Sequence, residues 1–240
     1  IKEFNELNAS LNYMTDKIYK DYVNMKEFTE NASHEMQTPV AVVLSKLELL
    51  LQDSNLKEEQ VQSVLDSATA LRQLSKLNES LLLLSRIENN QFDTTGEVSL
   101  ADVSKKYLRL FDEFIKEKQL TIKTNFNGAF TVNLHPLLAD SLIMNLLGNA
   151  IKYNYTAGKV EITVSENDYH ISNTSTLEPI AADQLFKRLN TSKDKKNKET
   201  SHGLGLAIVK KIVDVNHLHI IYHAEDGLHS FDITKRKELG

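Results

Sequence analysis

Three small groups of side chains in this sequence have types and spacings suited to chemistry. The first is His34, Glu35 and Thr38. A neutral imidazole can attack a phosphoryl group if one ring nitrogen is free and the other is held by an acceptor. Glu35 directly follows and is suited to orient the ring and act as general base. Thr38 lies four residues beyond His34, which puts both on one face of a helix. The second group is Asn145 and Asn149, again four apart, with Lys152 one turn further on. Amide oxygens are suitable ligands for Mg²⁺, and a lysine there can reach phosphate. The third is Gly203 and Gly205, heading the apolar run Leu206, Ala207, Ile208, Val209. Glycines at the start of a helix expose backbone N–H groups to an anion, and the helix dipole adds to the attraction.

These groups need elements to position them, and the composition changes sharply along the chain. Residues 1–90 contain no glycine and one proline, Pro39. Pro39 cannot donate to the carbonyl of Glu35, which predicts a bend beside His34. Apolar residues recur at helical spacing, first at Val40, Val43, Leu44, Leu47, Leu50 and Leu51. A second series runs from Val61 through Val64, Leu65, Ala68, Leu71, Leu74, Leu77, Leu81 and Leu84 to Ile87. The polar, turn-prone Gln52-Asp53-Ser54-Asn55 separates them, predicting an antiparallel helical hairpin. A lone hairpin cannot bury so long a stripe, whereas a four-helix bundle of two copies can; a homodimer is predicted.

Asn89 to Gly96 breaks the periodicity and reads as a linker. Beyond it, helical spacing over 101–117, 136–153 and 204–216 alternates with strand-like runs over 120–126, 130–134, 159–165, 169–173, 218–223 and 229–234. That pattern predicts an α/β sandwich with helices layered on one sheet. The stretch between Lys187 and His202 is nearly devoid of apolar residues, which predicts a mobile segment. Its lysines suit a lid over a polyphosphate.

The 240 residues include no cysteine, so disulfide scaffolds and thiolate metal sites are excluded. A net charge of −5 argues against a broad nucleic-acid surface. No apolar run approaches the roughly 20 residues that span a bilayer.

Phe28-Thr-Glu-Asn-Ala-Ser-His34-Glu35-Met-Gln-Thr38-Pro39 resembles the H-box of sensor histidine kinases, whose pattern is Ser-His-Glu-x-x-Thr-Pro. Asn145-Leu-Leu-Gly-Asn149-Ala-Ile-Lys152-Tyr153 resembles their N-box, and His202-Gly203-Leu204-Gly205-Leu206-Ala207-Ile208-Val209 resembles their second glycine box. Leu185-Phe186-Lys187-Arg188-Leu189 resembles the phenylalanine box that leads into the ATP lid. Residues 1–27 look like the last helix of a membrane-proximal relay module. The resemblance implies a dimerisation and phosphotransfer domain over 28–90, a linker over 91–96, an ATP-binding domain of the GHKL (Bergerat) sandwich type over 97–235, and a tail over 236–240.

The function so implied is ATP-dependent phosphorylation of His34, then transfer to an aspartate of a response-regulator receiver domain. Thr38 would position water for dephosphorylation of that regulator. Asn145 and Asn149 would hold Mg²⁺; Lys152, Tyr153, Asn173, Gly203, Leu204, Gly205 and Leu206 would contact ATP. The chain would be the cytoplasmic portion of an inner-membrane sensor, joined to the membrane through segments it does not contain.

One box departs from the family. The first glycine box is usually Asp-x-Gly-x-Gly, and here Ile171-Ser172-Asn173-Thr174-Ser175 stands in its place. An asparagine oxygen still accepts from the adenine amine, without charge assistance. Two alternatives follow: a phosphatase-biased or catalytically weak relay, or an ATP-driven machine of the gyrase and chaperone type. The latter lacks its hydrolytic glutamate, because Asn145 occupies that position.

Overall fold

The computed structural model describes residues 2–93, 96–187 and 203–236. The predicted lid, His202, Arg188, Leu189 and residues 237–240 lie outside the described residues, as do the side chains of Phe28, Ser33 and His34. The chain divides into two compact units, Ile1–Gln91 and Phe92–Gly240.

The first unit is a hairpin of two helices, α1 (Lys2–Leu50) and α2 (Glu58–Glu88). α1 continues through Pro39 as one helix and carries His34, Glu35 and Thr38. The turn is set by its polar residues. Asp53 Oδ1 accepts from both the backbone N–H and the side-chain amide of Asn55, each at 2.9 Å. Glu58 and Glu59 then open α2, where negative charge favours a helix start. Arg72 reaches Glu48 at 3.2 Å, and the Tyr22 hydroxyl donates to the Asn89 carbonyl, tying the antiparallel helices together. Ala68, Leu84 and Ile87 are buried. Much of the apolar stripe is not: Val43 is 43% exposed, Leu50 49%, Leu74 53% and Leu81 44%.

The second unit begins with β1 (Glu97–Ser99), which pairs antiparallel with β3 (Thr131–Asn133). Three residues are too few for alternation to reveal β1 in the sequence. Predicted as one helix, 101–117 is two, α3 (Leu100–Leu110) and α4 (Asp112–Glu117), separated at Phe111. β2 (Thr121–Phe126), β4 (Lys159–Val164), β5 (Asp168–Thr174), β6 (Leu218–Glu225) and β7 (Leu228–Lys235) form the main sheet, ordered β2-β4-β5-β7-β6. Among the described strands only β2 and β4 run parallel. Alternate strand residues Val160, Ile162, Tyr169, Ile171 and Ile233 are buried toward α3, α5 (Pro136–Lys152) and α7 (Gly205–Val215). On the opposite face lie ion-pairing residues such as Lys123 with Glu161, 2.8 Å apart. A short helix, α6 (Ala182–Leu185), follows β5 and went unpredicted, being a single turn.

Candidate functional site

α5 is the element that places the asparagines. His135 caps it by accepting from the Leu137 N–H at 3.2 Å, and Pro136 occupies its first turn, where a missing N–H costs nothing. Leu138, Leu142, Leu146 and Leu147 are buried along its inner face. At the other end the Lys118 ammonium donates to the carbonyls of Ile151, Lys152 and Asn154, at 3.0, 2.8 and 3.2 Å. A cation there satisfies carbonyls that the helix leaves open.

β5 enters beside this end, and two hydrogen bonds join them. Thr174 Oγ1 donates to Asn154 Oδ1 at 2.7 Å, and Ser175 Oγ donates to the Tyr153 carbonyl at 3.0 Å. Gly158 permits the first: a Cβ there would lie 2.0 Å from Asn154 Oδ1 and 2.6 Å from Thr174 Oγ1. Ser175 Oγ also accepts from the Leu177 N–H at 3.1 Å. The residue at the family's glycine position is therefore a joint between strand and helix. Asn173, 7% exposed, donates through Nδ2 to the Thr174 carbonyl at 2.9 Å.

α7 supplies the opposite wall. Gly203 has φ of +64°, a left-handed conformation that glycine adopts at little cost. Leu204 is buried and anchors the turn. A Cβ on Gly205 would lie 2.6 Å from Asn145 Oδ1, so glycine allows α7 to approach α5. Among the described residues no side chain caps the N-terminus of α7, and its first turn holds no acidic residue, leaving it suited to an anion.

Between these walls is an open pocket with about 780 Å³ of empty space. Asn149, Tyr153, Asn173, Gly203, Gly205 and Leu206 all line it. Asn145, Lys152 and Leu204 are not among its lining residues. Asn145 donates to the Ser141 carbonyl at 2.8 Å, with its oxygen set against Gly205. The Lys152 ammonium lies 5.8 Å from the centre of the Tyr153 ring. Glu35 and Thr38 are exposed on α1, in the other unit.

The pocket also contains residues that no motif marked. Leu177, Glu178 and Ile180 form one side, and Tyr222, His229 and Phe231 another. Tyr222 and Phe231 are cross-strand partners with ring centres 5.2 Å apart, and Phe186 packs edge-on against Phe231 at 6.4 Å. His229 pairs with Asn173 across β5 and β7. Burial pushes the Tyr222 phenol up, opposed by a backbone hydrogen bond from Ile180. Strand register, rather than spacing along the chain, gathers these side chains.

The donor set fits a magnesium nucleotide. An asparagine amide, a buried amide beside apolar and aromatic walls, and a glycine-led helix start suit metal, base and phosphate respectively. Among the described residues there is no group of three or more His, Asp or Glu that could hold a metal alone.

Residues 24–90 match the His Kinase A (phospho-acceptor) domain, and residues 135–237 match the histidine kinase-, DNA gyrase B- and HSP90-like ATPase domain. The chain belongs to the sensor histidine kinases of two-component systems. Among its relatives, the heme sensor protein HssS of Staphylococcus saprophyticus is 32% identical over 95% of this chain and 51% of its own length. The sensor histidine kinase HprS of Escherichia coli is 26% identical over 97% of this chain and 52% of its own. The chain thus spans about half the length of the curated relatives it matches. The same fold occurs in the Acinetobacter baumannii histidine kinase AdeS, with TM-score 0.58 and 24% identity over 85% of this chain and 98% of that one. It also occurs in full-length ShkA in complex with AMPPNP, with TM-score 0.65 and 21% identity over 87% of this chain and 46% of that one.

Proposed function

We propose that this chain is a protein-histidine kinase that transfers the γ-phosphoryl group of Mg·ATP to His34 and passes it to an aspartate of a response-regulator receiver domain. One observation carries the reading: Asn149, Tyr153, Asn173, Gly203, Gly205 and Leu206, distant in sequence, line one pocket. In this proposal the Asn173 oxygen accepts from the adenine amine, since its nitrogen is engaged by Thr174. The start of α7 receives the phosphates, and Asn149 contributes an oxygen to Mg²⁺. Asn145, set against Gly205, supports the metal-binding asparagine and holds the glycine turn in place. His34 is the nucleophile, Glu35 orients the imidazole and accepts its proton, and Thr38 positions water when the regulator is dephosphorylated.

The working unit is a homodimer, because the hairpin leaves Val43, Leu50, Leu74 and Leu81 exposed along the helices. ATP and the regulator place the chain on the cytoplasmic side of a membrane sensor. No helix among the described residues is long and apolar enough to cross a membrane. Incubation with γ-labelled ATP tests the reading. Acid-labile, base-stable label is expected on the chain and should vanish in His34→Gln. Label persisting in that variant would overturn the acceptor assignment, and binding of nucleotide without any label would favour a phosphatase or relay.

A further inference from the structure

The side of the pocket formed by Leu177, Glu178 and Ile180 comes from a segment that is neither helix nor strand. Such a wall has no ladder of its own, so other bonds must hold it. His229 does so from the sheet, and Tyr222 fixes the His229 ring in turn. His229 Nε2 lies 3.1 Å from the Leu177 carbonyl, and His229 Nδ1 lies 2.7 Å from the Tyr222 hydroxyl.

With a neutral His229 ring, the carbonyl at one end sets the polarity of this circuit. A carbonyl only accepts, so Nε2 carries the proton. Nδ1 of a neutral ring then accepts, and the Tyr222 hydroxyl donates to it. The circuit runs from the Tyr222 hydroxyl through His229 to the Leu177 carbonyl. Tyr222 and His229 sit on neighbouring strands at a diagonal, since Tyr222 pairs with Phe231 and His229 with Ala224. His229 is also directly across from Asn173.

We infer that His229 is a positioning residue for nucleotide binding: with Tyr222 it holds the 177–180 wall in the conformation that closes against the base. This rests on the pocket being the nucleotide site. Without the brace, the wall must be ordered at the moment of binding, and affinity falls by that cost. The loss falls equally on bound substrate and transition state, so it raises KM and leaves kcat in place.

The test is calorimetric titration of the 240-residue chain with ADP, alongside the ATP dependence of His34 labelling. His229→Ala should weaken ADP binding and raise KM about tenfold, the equivalent of one buried hydrogen bond, with kcat at saturation retained. His229→Gln keeps an N–H donor near Nε2 and should stay within about threefold of the parent. Tyr222→Phe keeps the ring and should fall between the two. Equal binding by parent and His229→Ala would overturn the brace, as would His229→Gln failing as badly as alanine, or a loss confined to kcat. A parent chain that binds no ADP would overturn the nucleotide reading itself, and the brace with it.

Discussion

Asn173 and Ser175 show how a departure from a family pattern can be stable in its own terms. Asn173 gives an N–H to the Thr174 carbonyl at 2.9 Å, a bond no carboxylate could make. Restoring the family residue with Asn173→Asp should therefore cost about 1–3 kcal/mol of stability, because a buried acceptor would face a carbonyl oxygen. Thermal unfolding without nucleotide would show it as a lower Tm, and a higher Tm would contradict the argument. Ser175 makes two bonds, to the Tyr153 carbonyl and from the Leu177 N–H. Ser175→Gly, which recreates the family residue, should likewise lower Tm by removing about 1–2 kcal/mol. The sequence marked these positions as anomalies but not their partners, since a serine's bonds depend on which helix end arrives beside it. The proposal for His34 rests on the opposite kind of signal, contiguous residues from Ser33 to Pro39.

At the scale of elements, the pocket depends on how closely α5 and α7 approach and on what terminates α5. Gly205→Ala would place a Cβ 2.6 Å from Asn145 Oδ1, forcing the helices apart or the amide out of position. The expected result is a nucleotide affinity reduced by tenfold or more, roughly the 1–3 kcal/mol that overpacking costs. Titration with ADP would detect it, and unchanged binding would mean that the approach does not matter. Lys118→Met keeps the stem but removes the ammonium from three carbonyls, and should destabilise the second unit by about 1–2 kcal/mol in denaturant melts. The long helices and most strands were readable because burial on one face imposes a period. β1, α6 and the Phe111 break were not, because each is too short or too local to show one. Lys118 gives no sequence signal at all; one more lysine in a charged chain becomes a cap only through the fold.

For the molecule as a whole, the exposed leucines and valines of the hairpin predict self-association. Solution scattering should give the mass of a dimer at micromolar concentration, and the Tm of the first unit should rise with protein concentration. A monomer with a concentration-independent Tm would contradict the bundle. The fold class was legible because each half of the chain has its own hydrophobic period. The aromatic side of the pocket was not, because Tyr222, His229 and Phe231 meet Asn173 only after three strands settle into register.

The unbroken run of α1 from Lys2 to Leu50 has a mechanical consequence. At 1.5 Å per residue it is a rod roughly 74 Å long, and each residue added to it turns everything beyond by about 100°. Its upstream end and His34 therefore share one angular phase, with no loop between them to absorb a twist. Inserting seven residues before position 28 would return the rod to within about 20° of its starting phase. Inserting two would turn it by roughly 200° and present a different face at the same end. If the upstream end is held, spacing alone should switch the output: labelling of His34 would follow the period of the helix and not the number of residues added.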